Sequence, residues 1–187
     1  MNVLGIGGSS RKNGNTDLLL KETLLGFKDS GAKCKKIFIR DFNILFCLAC
    51  EGCYKKGICI IKDDMQKIYC DFKWADCIVL VSPIYFYGLP ARIKNMIDRC
   101  QCLWEKKHIF KENINKIGIH ISVGGTNGKR LFDGSVLTVK YFFNSIGVKY
   151  CDSLFIRGID KVGDNKKNSK HLNKVYELGK NLKRKGD

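Results

Sequence analysis

The sequence begins Met1-Asn2-Val3-Leu4-Gly5-Ile6-Gly7-Gly8-Ser9-Ser10-Arg11-Lys12-Asn13-Gly14-Asn15-Thr16. Asn2–Gly7 is a short apolar run that stops at glycine, and its length and flanks predict a buried strand. From Thr16 to Ser30 the pattern changes. Leu18, Leu19, Leu24, Leu25 and Phe27 recur among polar residues at helical spacing. Between strand and helix lies a loop of glycines, hydroxyls, amides and one arginine. Such a loop suits a phosphate, because glycine admits close backbone approach and the next helix offers free N–H groups and a positive dipole end. A dinucleotide fingerprint would need glycine three residues after Gly7, where Ser10 stands. A P-loop would need Gly-Lys-Ser/Thr where Gly14-Asn15-Thr16 stands. The plainer alternative is a strand–helix turn with Asn15 or Thr16 as the helix cap.

The same alternation continues along the chain. Strands are predicted at Lys36–Arg40, Cys77–Ser82, Lys116–Val123 and Lys149–Ile156, and Cys77–Ser82 is the clearest buried run. Helices are predicted at Met65–Trp74, Ala91–Leu103, Leu131–Ile146 and Asn168–Arg184. In Ala91–Leu103, Ile93, Met96, Ile97 and Cys100 share one face. Five strands separated by helices imply a parallel sheet covered on both faces, with ligands at the carboxyl ends of the strands. With no repeat and no linker, residues 1–187 are expected to form one domain. Its one long irregular stretch is Asp41–Asp63, and a loop of that length is usually functional or disordered.

Composition narrows the class. Of 187 residues, 44% are apolar and 28% charged, an ordinary globular mix that excludes disordered and low-complexity chains. No apolar run approaches the ~20 residues of a membrane span, and the N-terminus lacks the marks of a signal peptide, so a cytoplasmic protein is expected. The net charge is +16. Its densest basic group (Lys166, Lys167, Lys170, Lys174, Lys180, Lys183, Arg184, Lys185) comes with no nucleic-acid recognition motif, so it reads as a solvated face. His108, His120 and His171 lie in unrelated segments without metal or triad spacing and are expected to be structural.

Ten cysteines in a reducing compartment call for metal, cluster or redox chemistry, or for burial as small apolar residues. Four of them, Cys47, Cys50, Cys53 and Cys59, fall in the irregular stretch with the spacing C-x2-C-x2-C-x5-C. Three thiolates at such intervals can wrap one corner of an iron–sulfur cubane, and a fourth after a glycine-containing turn can close the shell. Structural zinc more often takes two separated pairs. Zinc, and redox-active or merely buried thiols, stay open as alternatives. Cys34, Cys70, Cys77, Cys100, Cys102 and Cys151 read as buried small residues.

Three loops carry a family resemblance. Gly8 to Thr16 resembles the FMN-phosphate loop of flavodoxin-like NAD(P)H-dependent FMN reductases. Ser82-Pro83-Ile84-Tyr85-Phe86-Tyr87-Gly88-Leu89-Pro90-Ala91, followed by Lys94 and Ile97-Asp98-Arg99, resembles that family's second flavin loop and its helix. Val123-Gly124-Gly125 matches a third. The cysteine motif is similar to that of the family's iron–sulfur flavoprotein branch, although cluster-free members can keep several of these cysteines with the Asp63-Asp64-Met65 that follows.

The resemblance spans residues 1–150 and implies a flavodoxin-like, doubly wound five-stranded sheet of order 2-1-3-4-5. FMN phosphate would meet Ser9, Arg11, Asn13, Asn15 and Thr16. The ring would meet Pro83, Ile84, Tyr85, Phe86, Tyr87, Gly124 and Gly125, with at least one of the three aromatics packed as core. Cys47, Cys50, Cys53 and Cys59 would hold a [4Fe–4S] cluster. Asp98-Arg99 is expected to be a structural pair beneath the loop. No acid–base residue is expected, since the flavin itself carries the chemistry. Implied partners are ferredoxin or NAD(P)H as electron donor and a second copy of the chain, as dimer or tetramer. A cluster-free FMN or quinone reductase and a flavin-binding redox sensor or carrier are the competing functions.

Overall fold

The computed structural model describes residues 1–110, 115–167 and 169–182. Its strands are β1 (Asn2–Gly7), β2 (Lys33–Phe38), β3 (Cys77–Pro83), β4 (Lys116–Gly124) and β5 (Val148–Arg157). They form one parallel sheet in the order β2-β1-β3-β4-β5, as expected. The helices are α1 (Asn15–Asp29), α2 (Met65–Trp74), α3 (Ala91–Asp98), α4 (Gln101–Phe110), α5 (Asp133–Ser145) and α6 (Ser169–Lys180).

The central strands are apolar on both faces because both are covered. On β3, Ile78 and Leu80 join one core with residues of α2, α3 and α5, while Cys77, Val79 and Val81 join the other with residues of α1 and α6. On the second face α1 and α6 touch backbone to backbone. A Cβ on Gly26 would stand 2.1 Å from the Tyr176 carbonyl oxygen, and one on Gly179 would stand 2.2 Å from that of Thr23. No helix among the described residues is long and apolar enough to cross a membrane.

Several expectations are corrected. The second strand is Lys33–Phe38, not Lys36–Arg40. Pairing from Asn2↔Lys33 to Gly7↔Phe38 sets its register, and its exposed edge lysines hide it from hydrophobic pattern. The helix expected at Ala91–Leu103 breaks at Arg99–Cys100, where the Cys100 N–H turns back to the Ile97 carbonyl, and α4 then runs on to Phe110. Of the expected helix Asn168–Arg184, Asn168, Lys183 and Arg184 lie outside the described residues, as does Lys185 of the basic group. Cys70 is exposed and Cys34 and Cys151 are half-buried, whereas Cys77, Cys100 and Cys102 are buried as expected. His120 is wholly buried on β4, between the Ser122 and Tyr150 hydroxyls at 2.7 and 3.2 Å.

Candidate functional site

The loops after β1, β3 and β4 meet in one cleft at the carboxyl end of the sheet, where the strand order reverses between β1 and β3. Ser9, Arg11, Asn15, Thr16, Pro83, Ile84, Tyr85, Gly124 and Gly125 line it, and the loop after β5 closes it with Ile159, Asp160 and Val162. The helix N-terminus faces this cleft. Gly14 stands at the cap position of α1 without a side-chain cap bond, so the first N–H groups of the helix keep no intrahelical acceptor.

A buried ion pair shapes the loop from below. Arg40 donates to the Asp17 carboxylate at 2.7 and 3.0 Å, and also to the Ser9 and Arg11 carbonyls at 3.0 and 3.2 Å. Asp17 in turn accepts the Asn13 N–H at 2.9 Å, which holds Asn13 in the left-handed region at φ 56°. The Ser9 hydroxyl accepts the Arg11 N–H at 3.0 Å. The Arg11 guanidinium donates to the Asp160 carbonyl at 3.0 Å at the cleft mouth. The Asn15 side chain is engaged elsewhere, bonded to the Lys161 carbonyl and the Asn165 N–H, which leaves its backbone for a ligand.

Three of the expected ring and phosphate residues do not line the cleft. Asn13 supports it from behind. Phe86 and Tyr87 sit at the tip of a tight turn closed by reciprocal Tyr85–Gly88 bonds, both with positive φ (49° and 63°). For bulky residues that backbone is strained, and such strain persists only where the surrounding structure holds it. None of the three aromatics packs as core: Tyr87 touches Gly128 and Gly134 yet is half exposed, as is Tyr85, and Phe86, fully exposed, is held by the hydrogen bonds that close the turn.

Cys47, Cys50, Cys53 and Cys59 line a second cavity, of about 190 Å³, with Asp98, Arg99 and Cys102 in its wall. Ala49 and Glu51, both with positive φ, curl the chain between the first three thiols. Gly57 seats the return limb on α4, since a Cβ there would stand 2.6 Å from Lys106 Cα. Among the described residues no three His, Cys, Asp or Glu side chains stand close enough to hold a metal ion as they are. The donor chemistry nevertheless fits a cluster: the four motif thiols line the cavity, the Asp98 carboxylate in its wall is paired with Lys94, and beside them stands a cation with a buried, unpartnered Nε on Arg99. Burial and the neighbouring Cys102 push the Cys53 thiol up, so a metal binding there displaces a proton.

The neck of this loop is tied by Arg99, which pairs with Asp63 rather than with Asp98. Both side chains are almost wholly buried, 0% and 4% exposed. Arg99 donates to Asp63 at 2.6 and 3.1 Å, to the Leu45 carbonyl at 2.7 Å and toward Cys59 Sγ at 3.5 Å. Asp63 also accepts the Leu45 and Met65 N–H groups. Burial pushes its carboxyl up, but Arg99 and those N–H groups outweigh this and hold it below the usual range. Asp98 pairs instead with Lys94 at the surface. Sequence reasoning missed Arg40, Asp17 and the loop after β5. Only the acidic residue in the first helical turn hinted at Asp17.

Fold and cleft together define a flavodoxin-like, flavin-dependent oxidoreductase. Residues 1–138 match the family model described as NADPH-dependent FMN reductase. An iron–sulfur flavoprotein of Methanosarcina thermophila is 33% identical over 166 residues, covering 88% of this chain and 78% of that one. An iron–sulfur flavoprotein of Archaeoglobus fulgidus is 35% identical over 146 residues, 77% of this chain and 73% of its own. The chain belongs to the NADPH-dependent FMN reductase family, in its iron–sulfur flavoprotein branch. Among solved structures, the NAD(P)H:quinone oxidoreductase of Methanothermobacter marburgensis shares the fold, with TM-score 0.74, 16% identity, and coverage of 100% of this chain and 96% of that one. An FMN-dependent NADH-azoreductase of Bacillus anthracis in complex with FMN gives 0.73 and 15%, with 96% and 98% covered.

Proposed function

We propose that the cleft binds FMN and that the cysteine loop holds a [4Fe–4S] cluster, making this a redox protein that moves electrons between a one-electron donor such as ferredoxin and a downstream acceptor. One observation carries the reading furthest: the loops after β1, β3 and β4 converge at the switch point, with free helix N–H groups on one side and Pro83–Tyr85 on the other. When bound, FMN takes one or two electrons and the cluster one at a time, which couples one- and two-electron partners. The Asn15 and Thr16 N–H groups and the Ser9 hydroxyl hold the phosphate, with Arg11 swinging from Asp160 onto it. Pro83, Ile84, Tyr85, Gly124 and Gly125 seat the flat ring, and Phe86 covers it from outside. Cys47, Cys50, Cys53 and Cys59 are the cluster ligands, with Arg99 placing a positive charge beside Cys59.

Phe46, Leu48, Ile58 and Ile60 are exposed on the cysteine loop, and a second copy of the chain would cover them. A second reading, a cluster-free NAD(P)H-dependent reductase, draws on the family description and on the exposure of Cys47 and Cys50. Anaerobic purification separates the two. About four irons per chain and absorption beyond the flavin bands support the cluster; FMN without iron leaves the reductase. FAD in the heat-released flavin would refute the FMN site.

A further inference from the structure

The cysteine cavity holds more thiols than a cubane needs. Cys102, on the first turn of α4, is 2% exposed and stands in the same wall as Cys47, Cys50, Cys53 and Cys59. Together with Cys59 it also borders a larger, mostly apolar cavity of about 620 Å³ on the far side. Its surroundings are polar. Cys102 Sγ donates to the Arg99 carbonyl at 3.6 Å, an oxygen that also accepts the Tyr69 hydroxyl at 2.6 Å. Cys100, two residues earlier, shows the contrast: it sits in the apolar core, donates to the Met96 carbonyl and is not part of the cysteine cavity's lining. A thiol that merely filled space would resemble Cys100. Cys102 opens instead on the cavity that Cys47, Cys50, Cys53 and Cys59 line.

The two cysteines also differ in how they are held. Cys102 is the buried residue of α4, while Cys59 is on the return limb of the loop, six positions after Cys53. We propose that Cys102 is a fifth thiol of the cluster site, able to take the fourth ligand position when Cys59 leaves it. This rests on the cluster reading above. The exchange forms an iron–sulfur bond to Cys102 and breaks the one to Cys59. The Cys102 proton passes to Cys59, and no electron moves. The three remaining ligands stay where they are.

The test compares iron content per chain in anaerobically prepared, FMN-loaded protein. Cys59→Ala should keep about half or more of the wild-type iron, while Cys59→Ala/Cys102→Ala should keep under about a tenth, as should Cys53→Ala. Cys59→Val, which keeps bulk against Arg99, serves as a second single variant should the alanine disturb the loop. FMN content and far-UV circular dichroism report the fold independently of iron. If both Cys59 variants are as empty as the double variant while FMN and helicity match wild type, the proposal is overturned. A wild type that carries FMN but no iron fails earlier, and brings down the cluster reading itself.

Discussion

Replacing Arg99 by leucine should destabilise the protein far more than its distance from the flavin cleft suggests. The substitution removes the only cation from a pair whose side chains are 0% and 4% exposed. Asp63 is left buried and charged, facing only the Leu45 and Met65 N–H groups. The Leu45 carbonyl loses its 2.7 Å donor as well. Breaking a buried pair by removing one partner costs about 3–5 kcal/mol. Against a typical stability of about 5–15 kcal/mol, that is anywhere from about a fifth to all of it. For a chain of this size it lowers Tm by roughly 6–20 °C. The assay is urea unfolding followed by circular dichroism with FMN in fixed excess, because a ligand that binds only the folded form adds to apparent stability. Arg99→Leu/Asp63→Asn, which removes the stranded charge but keeps an oxygen for the Met65 N–H, should recover much of the loss. Lys94→Ala, at an exposed pair, should cost about 0–1 kcal/mol.

The pH dependence follows from the same pair. The Asp63 carboxyl lies below its ordinary range in the folded protein, so its contribution is complete above about pH 4 and is lost as pH falls through the lowered value. In Arg99→Leu the carboxyl without its cation titrates higher, and the gap to wild type should narrow in acid. An Arg99→Leu protein within about 1 kcal/mol of wild type, with the double variant no better, would refute the idea that this pair ties the loop neck.

Arg11→Ala should weaken FMN binding by about 1.5–3 kcal/mol, roughly tenfold to a hundredfold in Kd, through loss of a charge-assisted phosphate contact; titration calorimetry showing an unchanged Kd would remove Arg11 from the phosphate site. Gly179→Ala places a Cβ against the Thr23 carbonyl and should cost about 1–3 kcal/mol or more by prising α6 from α1, which an unchanged urea midpoint would contradict. Burial holds the His120 pKa down at about 3. The unfolded chain therefore binds a proton that the folded one refuses below about pH 6.5, and His120 subtracts stability between that pH and 3. An imidazole NMR titration with a midpoint above 5 would show the ring to be accessible.

Much of this architecture was legible in the residues. The Gly7–Thr16 loop, the buried run Cys77–Ser82 and the helices around them identify a parallel α/β sheet, because both-face burial leaves near-continuous apolar strands. β2 escaped that signal, since an edge strand with exposed lysines takes its register from Asn2–Gly7 rather than from its own pattern. The break in the Ala91–Leu103 helix escaped it too, because apolar spacing continues unbroken through a turn that reverses nothing.

By itself the sequence determined what is local: the order of strands and helices, the phosphate-loop chemistry and the C-x2-C-x2-C-x5-C spacing. Each is carried by neighbours in the chain, where covalent geometry alone brings groups together. Tertiary structure alone decided the partners. Arg40 reaches Asp17, 23 residues away, and Arg99 reaches Asp63, 36 away. Asp160 and Val162 close a cleft begun at Ser9, and Cys102 joins a cavity whose motif ends at Cys59. A buried charge must find an opposite charge or a polar group wherever the fold presents one, and which one it meets depends on how the sheet and its helices pack.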